Sequence, residues 1–358
     1  MTTTVAPILA IDLGKYKSVA CWYTGSDAQA LFETFPTHPD TLRLLLQRQA
    51  VRAVVVEACV HAGWVHDLCA ELKVPCHVAV TSGEAWKWKN VKRKTDRDDA
   101  LKLAHLFAVG QLHTVCVPAP DVRQWKALIG HRRALVHRRV SVQNRIRALI
   151  AGQGQSMPRG AAAWAAAGLH LLDEWARPLA ECGDSELWRG QLHLLLLELR
   201  QLLELVDVVE KRLDRRAKQS EEVQLLDSIP GVGIRTAEEI VTHLGDAKRF
   251  TKAAEVSAFA GLVPRQYQSG ESDRRGRVTK RGPKRLRTAL VECAWAALRY
   301  NAWARAVYLR ISRGSKSRKK QAVVALARKL LVRCWAMLRD KQKWRDPPTA
   351  TAAEGTAT

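Results

Sequence analysis

Ile8-Leu9-Ala10-Ile11-Asp12-Leu13-Gly14 decides the fold: four apolar residues run into a carboxylate, and a glycine follows two residues later. A short apolar run closed by a turn residue predicts a buried strand, here with an acid at its carboxyl end. Ser18 to Tyr23 follows as its hairpin partner. Val51 to Val56 is a second apolar, β-branched run, and it too ends in an acid, Glu57. His61 to Leu72 then has helical spacing, and Pro75 to Val80 reads as another short strand. Strands alternating with helices predict an α/β layer, and such sheets place their sites at the carboxyl ends of the strands.

From Thr95 onward the pattern is helical: Leu101, Leu103, Ala104 and Phe107 recur at helix spacing until Gly110, and Pro118 and Pro120 close the unit. Asp96 and Asp99 stand three residues apart at the start of this helix and project from one face, while Asp98 points elsewhere. Asp12, Glu57, Asp96 and Asp99 would repel one another if brought together, unless cations neutralise them. Their hard oxygen atoms suit Mg2+ or Mn2+. Taken singly, Asp12 also reads as a turn-capping aspartate or the start of a sugar-kinase-type phosphate site, and Asp99 as an acid serving the helix dipole.

A long arginine-rich helix is predicted from Val122 to Ile150, ending at Gly152 and Gly154. Leu192, Leu199, Val206 and Leu213 alternate with Leu195, Leu202 and Val209 at heptad positions. Three heptads predict either a coiled coil joining copies into a dimer or tetramer, or an apolar stripe packed on its own chain. Pro230-Gly231-Val232-Gly233 lies between two helical segments. It reads as a helix-hairpin-helix turn, in which the backbone around Gly231 and Gly233 meets a phosphate, or as a plain connection. The expected organisation is an α/β domain over 1–155, a helical coiled-coil region over 156–222, a mainly α-helical domain over 223–345 and a disordered tail over 346–358.

The chain has 358 residues and a formal net charge of +23, with a pI near 10.1. Such a balance calls for a polyanionic partner, and nucleic acid fits better than a membrane surface. No apolar run reaches the about eighteen residues of a spanning helix, and Met1 to Pro7 lacks the start of a secretory signal, so a cytoplasmic protein is expected. The eight cysteines form no CxxC pair, which signals neither a zinc ribbon nor a disulfide framework.

Tyr267-Gln268-Ser269-Gly270-Glu271-Ser272 is a polar loop beside a basic run, Arg274, Arg275, Arg277, Lys280, Arg281, Lys284, Arg285 and Arg287. A serine hydroxyl is a poor nucleophile until a base or metal eases its deprotonation. The cations would bind phosphates and stabilise charge on them. There is no Gly-x-Ser-x-Gly elbow, which excludes an acyl hydrolase of that type. Trp86 and Trp88, among Lys92, Arg93 and other cations, combine stacking faces with charge for unpaired bases, or anchor a loop.

Taken in order, these residues resemble the DEDD transposases of bacterial insertion sequences, with which site-specific DNA invertases share their plan. The resemblance rests on Asp12, Glu57, Asp96 and Asp99, then Pro230-Gly231-Val232-Gly233, Phe259-Ala260-Gly261-Leu262-Val263-Pro264, Ser269-Gly270 and Gly282-Pro283-Lys284-Arg285-Leu286-Arg287. It spans about Ile8 to Leu338. It implies a RuvC-like (RNase H-type) N-terminal domain, a coiled-coil middle and a C-terminal transposase domain. It also implies a magnesium-bound acidic tetrad and Ser269 as the nucleophile forming a phosphoserine on DNA. Donor and target DNA and a structured noncoding bridge RNA, which guides strand choice by base pairing, are the implied partners. Gly282-Pro283 departs from the family's usual Gly-Asn. Ser269 is preferred over Ser272 by its Gln-Ser-Gly context. A metal-dependent nuclease or junction resolvase, in which water attacks, and a purely architectural nucleic-acid binder are the competing readings.

Overall fold

The computed structural model describes residues 6–80, 86, 95–269 and 272–345. Two compact units divide between Pro120 and Asp121. The border thus falls earlier than the expected 155, because the helix from 120 to 152 buries its apolar face in the second unit. The expectation for 346–358 lies outside the described residues.

In the first unit β1 (Ile8–Asp12), β2 (Lys17–Tyr23), β3 (Leu31–Pro36), β4 (Ala53–Glu57), β5 (Cys76–Ala79) and β6 (Thr114–Val115) form one sheet in the order β3-β2-β1-β4-β5-β6. β1 pairs antiparallel with β2 and parallel with β4, and β4 is parallel to β5. Helices α1 (Pro39–Arg48) and α2 (Ala62–Glu71) cover one face. Helix α3 (Asp96–Ala108) covers the other. Alternation along the strands divides the two cores: Leu9, Ile11, Val54 and Val56 face α1 and α2, whereas Ile8, Ala10 and Val55 face Ala100, Leu103 and Ala104 of α3. β3 and α1 were not expected from the sequence. β3 is a largely exposed edge strand, so it carries no apolar run.

The second unit is helical apart from one hairpin. α4 (Pro120–Gly152) and α6 (Leu187–Lys218) run antiparallel, as the ion pairs Arg132–Glu210 and Arg145–Glu198 and the stacking of Arg216 over Trp125 show. All seven heptad positions of α6 are buried, with Trp125, Ile129, Val142 and Ile146 of α4 in the same core. Of the two readings of these heptads, packing within the chain is the one found at those positions. A different stripe, Leu194, Leu197, Leu205 and Val208, faces solvent.

α5 (Ala166–Trp175), α7 (Glu221–Asp227), α8 (Ile234–Leu244), α9 (Ala253–Phe259), α10 (Lys284–Tyr300), α11 (Ala302–Ser312) and α12 (Lys319–Asp340) complete the unit, with β7 (Pro264–Ser269) and β8 (Ser272–Val278) between α9 and α10. Among the described residues no helix is long and apolar enough to cross a membrane.

The last turns of α8 carry buried polar side chains. His243 donates through Nδ1–H to the Glu239 carbonyl at 2.7 Å, and burial, then the Lys126 charge, press its pKa down to about 4. The unfolded chain takes up this proton below about pH 6.5 and the folded chain does not until about pH 4. Stability is therefore present above the unfolded value and lost as pH falls through that window, by about 3 kcal/mol. Glu238, whose pKa burial raises, has the opposite sign and loses its contribution as pH rises. Urea midpoints measured from neutral pH down to about pH 4 will fall, and will fall less in His243→Phe.

Candidate functional site

Ile11 of β1 stands opposite Val56 of β4 in parallel register, so the next residues, Asp12 and Glu57, are neighbours on strands about 4.8 Å apart. By parity both continue the series 8-10-12 and 53-55-57, which faces α3. The turn after Asp12 is fixed from below. Buried Ser18 shares a 2.7 Å hydrogen bond with Thr37, whose hydroxyl donates to the Gly14 carbonyl at 2.9 Å. A Cβ on Gly14 would lie 2.1 Å from the Lys17 carbonyl oxygen, so the tight turn requires glycine there.

The helix arrives with its own acids. Ala100, Leu103 and Phe107 pack on the sheet, and Asp96 and Asp99 lie four residues before Ala100 and Leu103, on the same side one turn nearer the N-terminus. Asp99 is half-buried and Asp96 exposed. Asp98 belongs to the helix start: its carboxylate accepts from the Thr95 N–H at 2.9 Å, and the Thr95 hydroxyl accepts from the Asp98 N–H at 3.3 Å. This capping box was not read from the sequence, although Thr-x-x-Asp is visible in it.

All four carboxylates thus belong to the face between the sheet and α3, and as a donor set they suit a hard divalent cation. Among the described residues, no three histidine, cysteine or acidic side chains stand close enough to hold a metal as they are. Trp86 is half-buried against the α3 core and lies under Lys102, whose ammonium is 5.5 Å from the ring centroid and donates to the Trp86 carbonyl at 2.9 Å. It anchors this unit rather than offering a free stacking face. Trp88, Lys92 and Arg93 lie outside the described residues.

The stretch expected as a polar loop is an exposed two-stranded ribbon. Ser269 ends β7 and pairs with Ser272, and Tyr267 pairs with Arg274. Period-two alternation puts Ser269, Tyr267 and Arg274 on one face. Gly276 makes room beside them, since a Cβ there would lie 3.2 Å from the Tyr267 ring. The ribbon escaped sequence reading because Pro264–Ser269 is exposed throughout and shows no apolar alternation.

The basic run divides by role. Arg274, Arg277, Lys280, Arg281 and Lys284 are exposed. Arg275 lies in β8 between them. Arg285 and Arg287, expected on nucleic acid, are spent inside the protein. Arg285 holds buried Glu239 through two 2.9 Å hydrogen bonds. Arg287 donates to the Gly282, Ala260 and Arg281 carbonyls. Those carbonyls belong to a close backbone crossing, where a Cβ on Gly282 would lie 1.9 Å from the Phe259 oxygen and one on Gly261 1.9 Å from the Arg281 oxygen. Gly282 is therefore required by packing, and Pro283 caps α10 beside it.

Pro230 to Gly233 does join two helices, α7 and α8. Gly231, at φ +95°, faces α10, where a Cβ would lie 2.6 Å from the Ala297 Cα. Its expected phosphate contact gives way to this approach, while Gly233 is exposed at the N-terminus of α8.

Comparison with known proteins follows this layout. Residues 223–309 match the family described as "Transposase IS116/IS110/IS902 family". Residues 9–153 match a DEDD family described as "Transposase". The chain is 31% identical over 305 residues to the transposase for insertion sequence element IS1111A of Coxiella burnetii, covering 82% of this chain and 80% of that protein. It is 33% identical over 205 residues to the transposase for IS1328 of Yersinia enterocolitica, covering 56% and 58%. It is also 35% identical over 121 residues to the pilin gene-inverting protein of Moraxella bovis, covering 33% and 37%.

Proposed function

The chain belongs to the IS116/IS110/IS902 family of insertion-sequence transposases, and on that premise we propose that it cuts and rejoins donor and target DNA with Ser269 as nucleophile. The observation that carries this reading is the placement of Asp12, Glu57, Asp96 and Asp99 toward the face of the sheet that α3 covers, at strand ends and a helix start. Drawn closer together than they stand here, those four residues would hold Mg2+ or Mn2+. Bound there, the ion would supply Lewis-acid stabilisation of charge on phosphate oxygens.

Ser269 stands at the end of an exposed ribbon, with Arg274 on its face and further cations in the same run. Its Oγ would form a bond to a DNA phosphorus as the bond from that phosphorus to a deoxyribose oxygen breaks. The serine proton is balanced by the deoxyribose hydroxyl released. The phosphoserine keeps the phosphodiester energy for rejoining to a second strand. Arg274 and its neighbours hold the phosphate while the bonds exchange.

Sequence choice by a paired bridge RNA would leave the protein to supply charge and chemistry. A homo-oligomer would use the outward stripe of α6, since the heptad positions are occupied. Purified protein with RNA transcribed from the flanking DNA, Mg2+ and labelled donor and target duplexes will give a covalent protein–DNA adduct on a denaturing gel. Ser269→Ala will abolish it. Cleavage that survives Ser269→Ala with no adduct in the unaltered protein would replace this reading by a water-using nuclease.

A further inference from the structure

Between Glu292 and Asp340 the chain has no aspartate or glutamate and twelve arginines or lysines. This segment takes in the C-terminal half of α10, all of α11 and nearly all of α12. Ala304 and Val307 of α11 and Leu326, Leu330 and Leu331 of α12 are buried in one core, so the two helices pack as a hairpin. In the groove between them is a cavity of about 400 Å³, lined by Arg310, Arg328, Lys329 and Arg333 around Trp303.

Arg328 and Lys329 are half-buried. None of the four cations makes an ion pair among the described residues; Arg339–Asp340 is the ion pair found on α12. Arg333 lies over the Trp303 ring at 5.8 Å, so one face of that ring is already covered.

Four like charges around one cavity repel, and water screens half-buried charges less than exposed ones. A ligand with several anionic oxygens would relieve this, and guanidinium forks match phosphate oxygens in pairs. A single small anion would neutralise only part of the set. The charge continues through Arg313, Lys316 and Arg318 in the connection between the helices and through Lys319 and Lys320 at the start of α12, which suits a polymer. Trp303 is engaged with Arg333, so recognition falls on the backbone rather than on a stacked base.

We infer that the α11–α12 groove is a phosphodiester-binding site for a nucleic-acid strand, built from residues other than those of the Ser269 ribbon. It rests on the reading of this chain as a nucleic-acid enzyme. The strand contributes phosphates and no base identity. Its contacts are therefore independent of sequence and sensitive to salt.

The test uses the full chain with Arg310, Arg328 and Lys329 all changed to Gln, leaving Arg333 in place because it packs on Trp303. Binding to a duplex DNA and to a hairpin RNA, each with a fluorescent label, is followed by anisotropy over a range of salt. Loss of three phosphate contacts flattens the slope of log affinity against log salt by about 2 to 3. A control with Arg212, Arg215 and Lys218 of α6 changed to Gln removes the same charge and should leave the slope as it was. Flattening in the groove variant alone supports the site, and the nucleic acid that shows it identifies the strand. An unchanged slope on both nucleic acids, or equal flattening in the control, overturns the site while leaving the proposed function standing. Failure of the unaltered protein to bind either nucleic acid overturns both. Thermal melting of the groove variant separates loss of binding from loss of fold.

Discussion

Asp12→Asn will leave the protein folded and bound to DNA and will lower strand cleavage at least a hundredfold, about 3 kcal/mol of barrier. Asparagine keeps the size of aspartate and an acceptor oxygen at the end of β1, so the strand register with Val19 is undisturbed. What it removes is the negative charge that suits a hard divalent cation. Glu57→Gln, one strand away on the same face, will behave alike. Asp98→Asn is the informative contrast, because it lies in the same acidic cluster but its carboxylate accepts from the Thr95 N–H in the capping box. It will cost about 1 kcal/mol of stability, as loss of a cap does, and leave the cleavage step nearly unchanged. Single-turnover cleavage and denaturant melts on the three variants give the comparison. Cleavage by Asp12→Asn at the unaltered rate would remove the carboxylates from the chemistry.

That contrast also shows what could be read from the chain. The position of Asp12 and Glu57 at strand ends was legible because a buried strand writes itself as a short apolar run. The position of Asp96 and Asp99 on one side of the first turn of α3 was legible because helical spacing is fixed. The heptads of α6 were legible as a stripe, but a stripe does not name its partner, and the partner proved to be α4. The ribbon that carries Ser269 was not legible, because a strand with both faces in water has no alternating pattern to betray it. The basic run failed in another way: on paper each cation looks alike, and only the fold separates Arg274, on the face of Ser269, from Arg285 and Arg287, which satisfy buried oxygens. The acid-free stretch from 293 to 339 is visible by counting carboxylates instead of cations, a signal spread too widely to show in any one basic motif.

Arg285→Ala will destabilise the second unit by about 3–5 kcal/mol, as removal of one partner from a buried ion pair does. Arg285 reaches from the start of α10 to Glu239 of α8, which is 3% exposed, and to the Lys126 carbonyl of α4 at 3.2 Å. Three helices thus meet on one guanidinium. The glycine in the middle of α4 belongs to the same arrangement, since a Cβ on Gly130 would lie 2.4 Å from the Arg285 Nη1. Glycine within a helix costs about 1 kcal/mol relative to alanine, and here that cost is offset by room for the guanidinium. Gly130→Ala, which stabilises an ordinary exposed helix, will therefore destabilise this one. Arg285→Lys will restore little, because an ammonium cannot hold both Glu239 oxygens and the Lys126 carbonyl in one plane. Glu239→Gln in the Arg285→Ala background will recover part of the loss, because it removes the stranded charge. A thermal denaturation series over these variants measures the coupling. A shift of less than about 2 °C for Arg285→Ala would mean that the arginine is free for nucleic acid after all, since several kcal/mol in a unit of this size moves the midpoint by roughly 10 °C.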